Sequence, residues 1–361
     1  MKILIDIGHP AAVHLFKNLI KELSLNDHEI LVTAREKDVT INLLKKYNIN
    51  YISFGPPKKG LLRKILGTIS FTYKLFKVIK RFKPSIILSS TTIYPVILKP
   101  LIKTPVISFH NTDSDLALNL LKYVNNIYIT PNRFKTSLGK NHIKINSYHE
   151  LAFLHPNQVN TELYDKQKEN IFGLNTRIIL IRFVSWEASD DSGLKGFSLG
   201  EKLRLVEKMK KYGRIIISSE VDLPNELEEY RLESNKFLNN LEMQFIEYCS
   251  SIFIGESGAM AAESALLGVP AIFYSNKYLG FINELNEKYQ LILKVSNMDD
   301  LFRVSESLLN DEHSSEIWDS RLKKLLSENI DLTAFMIWLV KEYPSSYLML
   351  RKNIKILNRF N

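Results

Sequence analysis

Residues Ser251–Tyr274 read SIFIGESGAMAAESALLGVPAIFY, and this stretch decides the fold class. It opens with a short apolar run that predicts a strand over 251–254 and closes with a second run, over 270–274. Between them, small and helix-forming residues predict a helix over 259–267. A strand, a helix and a second strand joined by short turns form a right-handed βαβ unit whose strands are parallel. The stretch therefore predicts an α/β protein with a parallel sheet.

The same alternation extends in both directions from this stretch. Before it, strands are predicted over 2–7, 29–33, 49–54, 85–89, 105–109, 126–130, 142–145, 177–183 and 214–218, and after it over 291–295. Helices are predicted over 10–24, 38–47, 61–82, 115–123, 132–138, 199–211, 241–248, 299–309, 314–327 and 332–341. A polar run with Pro156 and several asparagines, residues 147–170, interrupts the alternation, and we interpret it as a connector between two domains.

The length of 361 residues fits two domains, because a domain usually has roughly 100–200 residues. We expect a Rossmann-like domain over 1–150, a second one over 151–331, and a C-terminal helix with a basic tail over 332–361, which can pack back on the first. Two doubly wound domains of similar size predict a cleft between them. Ligands of open parallel sheets bind beyond the carboxyl ends of the strands, so functional residues are expected in the loops that follow strands.

The composition excludes several classes of protein. Hydrophobic residues make up 45% of the chain and charged residues 24%, which is ordinary for a globular protein and argues against disorder. The single cysteine, Cys249, excludes an internal disulfide, which fits a reducing cytoplasm. A structural zinc or iron–sulfur site is not expected with so few thiols. No apolar run approaches the ~20 residues of a membrane-spanning helix.

The net charge of +9 is shared unevenly along the chain. Residues 1–150 hold 23 Lys and Arg against 9 Asp and Glu, whereas residues 151–361 hold 25 against 30. The segment Gly55–Pro84 contains nine basic residues, no acidic residue and a regular series of apolar residues. A basic amphipathic helix is typical of a membrane-surface element; the alternative is a solvated basic face on a helix packed against its own domain. No motif that reads DNA or RNA accompanies the charge, so no nucleic-acid partner is expected.

A small-residue turn precedes the helix predicted over 259–267. N–H groups at a helix start lack partners within the helix and the helix dipole is positive there, so such a turn can bind an anion. Gly258 lets an anion approach the backbone closely, and Glu263 can accept hydrogen bonds from the hydroxyls of a ribose. The predicted nucleotide-sugar site in this stretch comprises Glu256, Ser257, Gly258, Ala259, Met260 and Glu263. The alternative is Ser257 as a plain N-cap and Glu263 as a solvated helix residue.

Two more strand ends in the second half carry candidate binding residues. Arg182 can offer a fork of donors to a diphosphate, Ser185 follows it, and Trp186 can stack on a base or sugar. Ser219 and Glu220 end the next strand and are expected to line the nucleobase pocket. The alternative for the loop over 182–191 is a surface loop that caps the helix predicted from 199.

Candidate catalytic residues follow strands of the first half. His9 comes directly after Gly8, and its ordinary pKa near 6.5 would let it remove a proton from an acceptor hydroxyl. Asp113 follows the strand predicted over 105–109 and is a candidate acid or base, whereas Asp115 is better explained as a helix cap. The alternative for His9 is a histidine without a catalytic role.

The turn around Ser257 resembles the nucleotide-sugar signature of the GT-B superfamily, and in particular the turn of the non-hydrolysing UDP-N-acetylglucosamine 2-epimerases. This resemblance implies that Ser257, Gly258 and Ala259 contact the diphosphate and that Glu263 contacts the ribose. Nearly the whole chain also resembles the DUF354 family, whose hallmarks stand here as IDIGHP (5–10), TAR (33–35), YHELA (148–152), RFVSWEA (182–188) and SSE (218–220). The family resemblance implies the GT-B architecture, which has two Rossmann-like doubly wound domains with an interdomain cleft. By this resemblance residues 1–150 form the acceptor domain and residues 151–331 the nucleotide-sugar-binding domain. The family name confers no activity by itself.

Three functions are compatible with these features. The first is a glycosyltransferase that uses a nucleotide-diphosphate sugar, UDP-linked by resemblance, to build a cell-surface polysaccharide or glycoconjugate. His9 or Asp113 would take the proton of the acceptor, and the Ser257 turn with Arg182 would stabilise the departing diphosphate without a metal or other cofactor. The second is a nucleotide-sugar 2-epimerase or hydrolase, whose expected carboxylates are missing from the loops over 90–94 and 130–132. The third is a non-enzymatic nucleotide- or membrane-binding assembly protein.

The expected location follows from the first function and from the basic segment. We expect a cytoplasmic protein that lies at the inner face of the plasma membrane, where a lipid-linked or glycan acceptor would be presented.

Overall fold

The computed structural model describes residues 1–57, 60–90, 92–111, 124, 126–185, 196–235 and 237–361. The chain divides into two compact units. The first comprises Met1–Gln158 together with Glu328–Asn361, and the second comprises Val159–Ser327. Each unit contains its own parallel sheet, which confirms the predicted fold class.

The first unit is built on a seven-stranded parallel sheet in the order β3-β2-β1-β4-β5-β6-β7. Its strands are β1 (Lys2–Ile7), β2 (Glu29–Ala34), β3 (Tyr51–Ser53), β4 (Ile86–Ser90), β5 (Val106–Phe109), β6 (Ile127–Pro131) and β7 (His142–Ile145). Its described α-helices before residue 158 are α1 (Pro10–Leu25), α2 (Thr40–Lys46), α3 (Leu61–Phe82), α4 (Tyr94–Leu98) and α5 (Leu151–Leu154).

The central strands of this sheet are buried on both faces, as helix-covered parallel strands usually are. Ile3, Leu4 and Ile5 of β1 are completely buried. One face packs against the inner side of α3, where Phe71 and Leu75 join the apolar core. Helices therefore cover the faces of the sheet and leave its carboxyl ends to loops.

The second unit has a five-stranded parallel sheet in the order β12-β11-β10-β8-β9. Its strands are β8 (Ile178–Phe183), β9 (Arg214–Ser219), β10 (Ile252–Gly255), β11 (Ala271–Tyr274) and β12 (Ile292–Val295). Its described α-helices are α6 (Thr161–Phe172), α7 (Leu199–Met209), α8 (Met243–Cys249), α9 (Gly258–Leu266), α10 (Gly280–Glu287) and α11 (Met298–Asn310), and α12 (Ser314–Glu328) ends at its boundary.

Two helices near the C-terminus, α13 (Leu332–Lys341) and α14 (Ser345–Lys352), belong to the first unit. The side chain of Asp331 caps α13 by accepting a hydrogen bond from the Ala334 N–H at 3.0 Å. Helix α13 packs against α1 and α5, and Thr333 at its start donates to the carbonyl of Ala152 at 2.7 Å. The segment therefore completes the core of the first unit.

The predicted elements agree with the structure except in irregular segments. The helix predicted over 132–138 is wrong: these residues turn between β6 and β7, with Phe134 and Leu138 buried at the turn. The predicted connector over 147–170 contains the boundary between the two units, after Gln158, but it also contains α5 and most of α6, which were not predicted. Helices α4, α10 and α14 were not predicted because each is short, and the helix predicted over 115–123 lies outside the described residues.

The search for a membrane-spanning helix covers the described ranges only. None of their helices combines the length and the apolarity needed to cross a bilayer.

Candidate functional site

Three strands of the second sheet bring most of the predicted binding residues together. Strands β10, β8 and β9 are neighbours, and their register pairs Gly255 with Arg182 and Phe183 with Ser219. The residues that follow the three strands therefore meet at the same carboxyl edge.

The turn after β10 presents two backbone donors. Ser257 is the N-cap of α9, and its Oγ accepts a hydrogen bond from the Met260 N–H at 3.3 Å. The N–H groups of Gly258 and Ala259 donate to no acceptor among the described residues. Because they stand at the positive end of the helix dipole, the turn is suited to an anion.

Gly258 has a packing role as well. A Cβ atom at this position would lie 2.7 Å from Cδ1 of Leu279. The absence of a side chain therefore lets α9 begin directly beside the segment that leads into α10.

Glu256 is predicted from the sequence to belong to the binding site, and in the structure its side chain binds backbone N–H groups. It is buried, and its carboxylate accepts from the Val184 N–H at 3.0 Å and from the Phe197 N–H at 2.5 Å. Val184 precedes the segment over 186–195 and Phe197 follows it. Glu256 therefore binds the backbone on both sides of this segment.

Arg182 lies on β8 with its guanidinium at the edge. One Nη donates to Ser218 Oγ at 2.7 Å, and the other forms an ion pair with Glu220. The second oxygen of Glu220 accepts from the N–H of Ser185 at 3.2 Å and from its hydroxyl at 3.4 Å. The three predicted residues Arg182, Ser185 and Glu220 therefore form one network.

Ser219 supports the turn after β9. Its hydroxyl donates to the carbonyl of Val221 at 2.8 Å and accepts from the Val221 N–H at 3.3 Å. Trp186, predicted to stack on a base or sugar, lies outside the described residues, as does Asp113 of the first unit.

Glu263 has polar neighbours on α8 that sequence reasoning missed. Gln244 donates to its carboxylate at 2.9 Å. Glu247, one turn further along α8, is completely buried, and neither carboxylate oxygen accepts a hydrogen bond within the described residues. Burial and the charge of Glu263 hold the pKa of Glu247 well above its usual range. Glu247 therefore keeps a proton beside Glu263 at pH values where an exposed glutamate has lost it.

His9 is placed differently from the residues above, as the N-cap of α1. Its Nδ1 accepts a hydrogen bond from the Ala11 N–H at 3.2 Å. Burial and the charge of Lys37 lower its pKa. In this geometry the proton of the neutral ring sits on Nε2, which makes that nitrogen a donor.

A buried ion pair between β1 and the residue that follows β2 was not predicted. Asp6 is completely buried on β1 and binds Arg35 by two hydrogen bonds, of 2.8 and 2.5 Å. Thr33 and Thr92 each donate to the same carboxylate at 2.7 Å. An acid within the apolar run of β1 and an arginine directly after β2 were the available signals.

A second polar cluster that sequence reasoning missed follows β5, β6 and β7. Arg133 donates to Asn111 Oδ1 at 2.8 Å. Burial and the charge of Arg133 lower the pKa of His149 to about 3, and burial lowers the pKa of His110 to about 4. Burial raises the pKa of Glu150, whose Oε2 has no partner within the described residues. The cluster therefore places two neutral imidazoles and a carboxyl group of raised pKa around one guanidinium.

Comparison with protein families settles where the chain belongs. A family model described as a protein of unknown function, DUF354, matches residues 1–343. The chain belongs to the DUF354 family. No curated protein matches this DUF354 chain in the corresponding search.

Solved structures similar to the DUF354 chain share its fold at low sequence identity. The S. aureus MnaA–UDP co-structure has a TM-score of 0.66 and 12% identity, with 96% of this chain and 98% of that chain covered. The spinosyn rhamnosyltransferase SpnG complexed with thymidine diphosphate has a TM-score of 0.61 and 12% identity, with 94% and 100% covered. The UDP-GlcNAc 2-epimerase from Neisseria meningitidis bound to UDP-GlcNAc has a TM-score of 0.57 and 16% identity, with 90% and 100% covered. These similarities confirm the GT-B fold.

The search for a metal centre covers only the part of the DUF354 chain that the structure describes. Within the described ranges, no three His, Cys, Asp or Glu side chains are grouped so that they could hold a metal ion. The Asp113-Ser114-Asp115 sequence lies outside those ranges.

Proposed function

We propose that this DUF354 protein is a GT-B glycosyltransferase that transfers a sugar from a nucleotide diphosphate, most simply UDP. The observation that carries the proposal is the pair of available N–H groups on Gly258 and Ala259, with Glu263 further along the same helix. Structural neighbours that were solved with UDP, thymidine diphosphate or UDP-GlcNAc support this choice of ligand.

The proposed donor site assigns a role to each group at the edge of the second sheet. The diphosphate receives the N–H groups of Gly258 and Ala259 and the hydroxyl of Ser257. The carboxylate of Glu263 accepts from the ribose hydroxyls, held in place by Gln244. Arg182 neutralises the departing diphosphate by exchanging its contact with Glu220 for one with phosphate.

Transfer requires that the bond from the anomeric carbon to the diphosphate breaks while a bond to the acceptor oxygen forms. The electron pair stays on the diphosphate, where the helix dipole and Arg182 stabilise it without a metal. The acceptor hydroxyl gives up its proton to a base, for which we proposed His9 or Asp113. His9 can take that proton on Nδ1 only after the hydrogen bond from the Ala11 N–H to Nδ1 breaks. While this bond is intact, His9 can only donate a hydrogen bond, from Nε2, to the sugar-accepting substrate.

The second candidate function is a nucleotide-sugar 2-epimerase or hydrolase, which the UDP-GlcNAc 2-epimerase among the structural neighbours favours. Such chemistry needs carboxylates around the sugar. In the described part of the first unit, Thr92 follows β4, and Asn132 and Arg133 follow β6, so these positions supply none. Transfer is therefore ranked first.

We further propose that the acceptor is a lipid-linked or glycan chain in cell-surface polysaccharide or glycoconjugate synthesis. The protein would then work in the cytoplasm, peripheral to the inner face of the plasma membrane.

A thermal-shift panel of nucleotides and nucleotide sugars tests the proposal. A ligand that binds only the folded protein stabilises it by about 2.7 kcal/mol at 100 times its dissociation constant. We expect UDP or a UDP-sugar to raise the melting temperature, and product analysis with the best sugar then separates transfer, epimerisation and hydrolysis. Binding without turnover of any sugar would leave a non-enzymatic binder, and no shift with any nucleotide would refute the donor site.

A further inference from the structure

Helix α3 exposes apolar residues on the side that faces away from its own sheet. Leu66, Ile69 and Tyr73 are 59%, 62% and 58% exposed. Their spacing of three and four residues places them on one face of the helix. Phe71 and Leu75 on the other face are buried in the core, so packing against the first unit does not explain the exposed apolar residues.

Basic residues continue this exposed face toward the end of the helix. Lys74, Lys77, Lys80 and Arg81 are exposed. None of the four forms an ion pair within the described residues. The Lys74 amine donates to the carbonyl of buried Phe54 at 2.9 Å, so the cations that this face presents are Lys77, Lys80 and Arg81. The amine of Lys77 lies 4.5 Å from the ring centroid of Tyr73, so cation and apolar surface are adjacent.

The combination selects one kind of partner. A phosphodiester polymer would bind the cations but would not bury the exposed apolar side chains of Leu66 and Ile69. An anionic bilayer binds both the cations and the apolar residues. A helix that lies in the interface buries apolar side chains at the acyl boundary and places Lys and Arg among the headgroups. The segment Gly55–Pro84 contains no acidic residue, so all of its charged side chains are complementary to an anionic surface.

We propose that the outer face of α3, formed by Leu66, Ile69, Tyr73, Lys77, Lys80 and Arg81, is a docking surface for an anionic lipid bilayer. This inference deepens the proposed function, because it names the surface that brings the protein to a membrane-held acceptor. The surface itself does not depend on the nucleotide site.

Co-sedimentation with vesicles tests the docking surface. Vesicles of phosphatidylcholine alone are compared with vesicles containing about 30% phosphatidylglycerol, at low and at physiological salt. We expect the protein to bind the anionic vesicles and to bind the neutral ones at least about tenfold more weakly. Equal binding to both, or to neither, would overturn the proposal.

Two variants separate charge from apolar contact. One replaces Lys77, Lys80 and Arg81 with Gln, and the other replaces Leu66, Ile69 and Tyr73 with Gln. Each is expected to reduce binding to anionic vesicles at least about tenfold. Matched controls with Lys21, Lys45 and Lys140, or Leu25, Leu174 and Leu199, changed to Gln should bind like the parent. Losses as large in the controls as in the α3 variants would refute a specific surface.

A UDP thermal shift on the same variants keeps this inference distinct from the proposed function. Lost vesicle binding with an unchanged UDP shift is the expected result for the α3 variants. If the parent binds UDP but no vesicles, only the docking surface fails; if it binds anionic vesicles but no nucleotide, only the donor site fails.

Discussion

The junctions from β1 to α1 and from β10 to α9 are both strand–turn–helix units. They differ in how many backbone N–H groups at the helix start remain available to an anion. At the first, Pro10 has no N–H, the Ala11 N–H donates to His9 Nδ1, and the Ala12 N–H donates to the His9 carbonyl at 3.0 Å. At the second, the Met260 N–H is taken by Ser257, while Gly258 and Ala259 keep theirs within the described chain. We therefore expect a strand–turn–helix unit to bind an anion only if its capping residues leave backbone N–H groups at the helix start without an acceptor.

The largest expected effect comes from placing a carboxylate in the second position of each helix. Ala259→Asp should weaken UDP binding about a hundredfold, or ~2.7 kcal/mol, because the new charge repels the diphosphate. An acidic residue in the first turn stabilises the helix itself, so the variant should fold. Isothermal titration with UDP measures the change.

The matched control is Ala11→Asp at the equivalent position of α1. It should leave UDP affinity unchanged, because that junction has no donors left for a phosphate. Equal losses in both variants would mean that the comparison between the junctions is wrong.

Both junctions have a glycine that cannot gain a side chain. A Cβ at Gly8 would lie 2.4 Å from Thr92 Cγ2, and one at Gly255 would lie 2.8 Å from Arg182 Cβ. Gly8→Ala and Gly255→Ala should each lower the free energy of unfolding by about 1–3 kcal/mol, measured by urea denaturation. The control, Gly200→Ala in α7, has no atom within 4 Å of the added Cβ, and an unchanged or higher stability is expected there.

Removing the proposed ribose acceptor should have a smaller effect on binding. Glu263→Ala should raise the dissociation constant for UDP about tenfold, because hydrogen bonds to a charged group are lost. The constant for inorganic pyrophosphate should stay the same, since that ligand has no ribose. A UDP affinity equal to that of the parent would remove Glu263 from the site.

Two buried groups, His14 of the first unit and Glu247 of the second, should make opposite contributions to the pH dependence of stability. Burial lowers the pKa of His14 in α1 from 6.5 to about 3, so stability should fall as the pH drops from 6.5 toward 3, where the unfolded chain binds the proton first. Glu247 has a raised pKa, so the folded second unit holds a proton that the unfolded chain releases above about 4.5. Its contribution should therefore fall as the pH rises through that range.

Variants that remove each group test the two signs by calorimetric melting as a function of pH. His14→Phe should flatten the loss on the acidic side, and Glu247→Gln should flatten the loss on the other side. The exposed control Glu226→Gln should change neither slope. Unchanged slopes in the first two variants would contradict the assigned protonation states.

The sequence predicted those features that depend on local pattern. Apolar runs predicted the parallel sheets, and the small-residue turn predicted a helix from Ala259, one residue after the observed start of α9 at Gly258. Side-chain partners were less accessible, because they depend on strand register and helix packing. Asp6 with Arg35 and Glu247 beside Glu263 are separated along the chain, and the buried role of Glu256 depends on where Val184 and Phe197 return to the sheet edge.

The most direct test of the central claim is an amide NMR titration of the ¹⁵N-labelled protein with UDP. If the diphosphate binds at the start of α9, the amide signals of Gly258 and Ala259 should shift strongly while those of Gly8 and Ala11 stay in place. UDP binding that leaves the Gly258 and Ala259 signals unmoved, or that shifts the α1 junction instead, would contradict it.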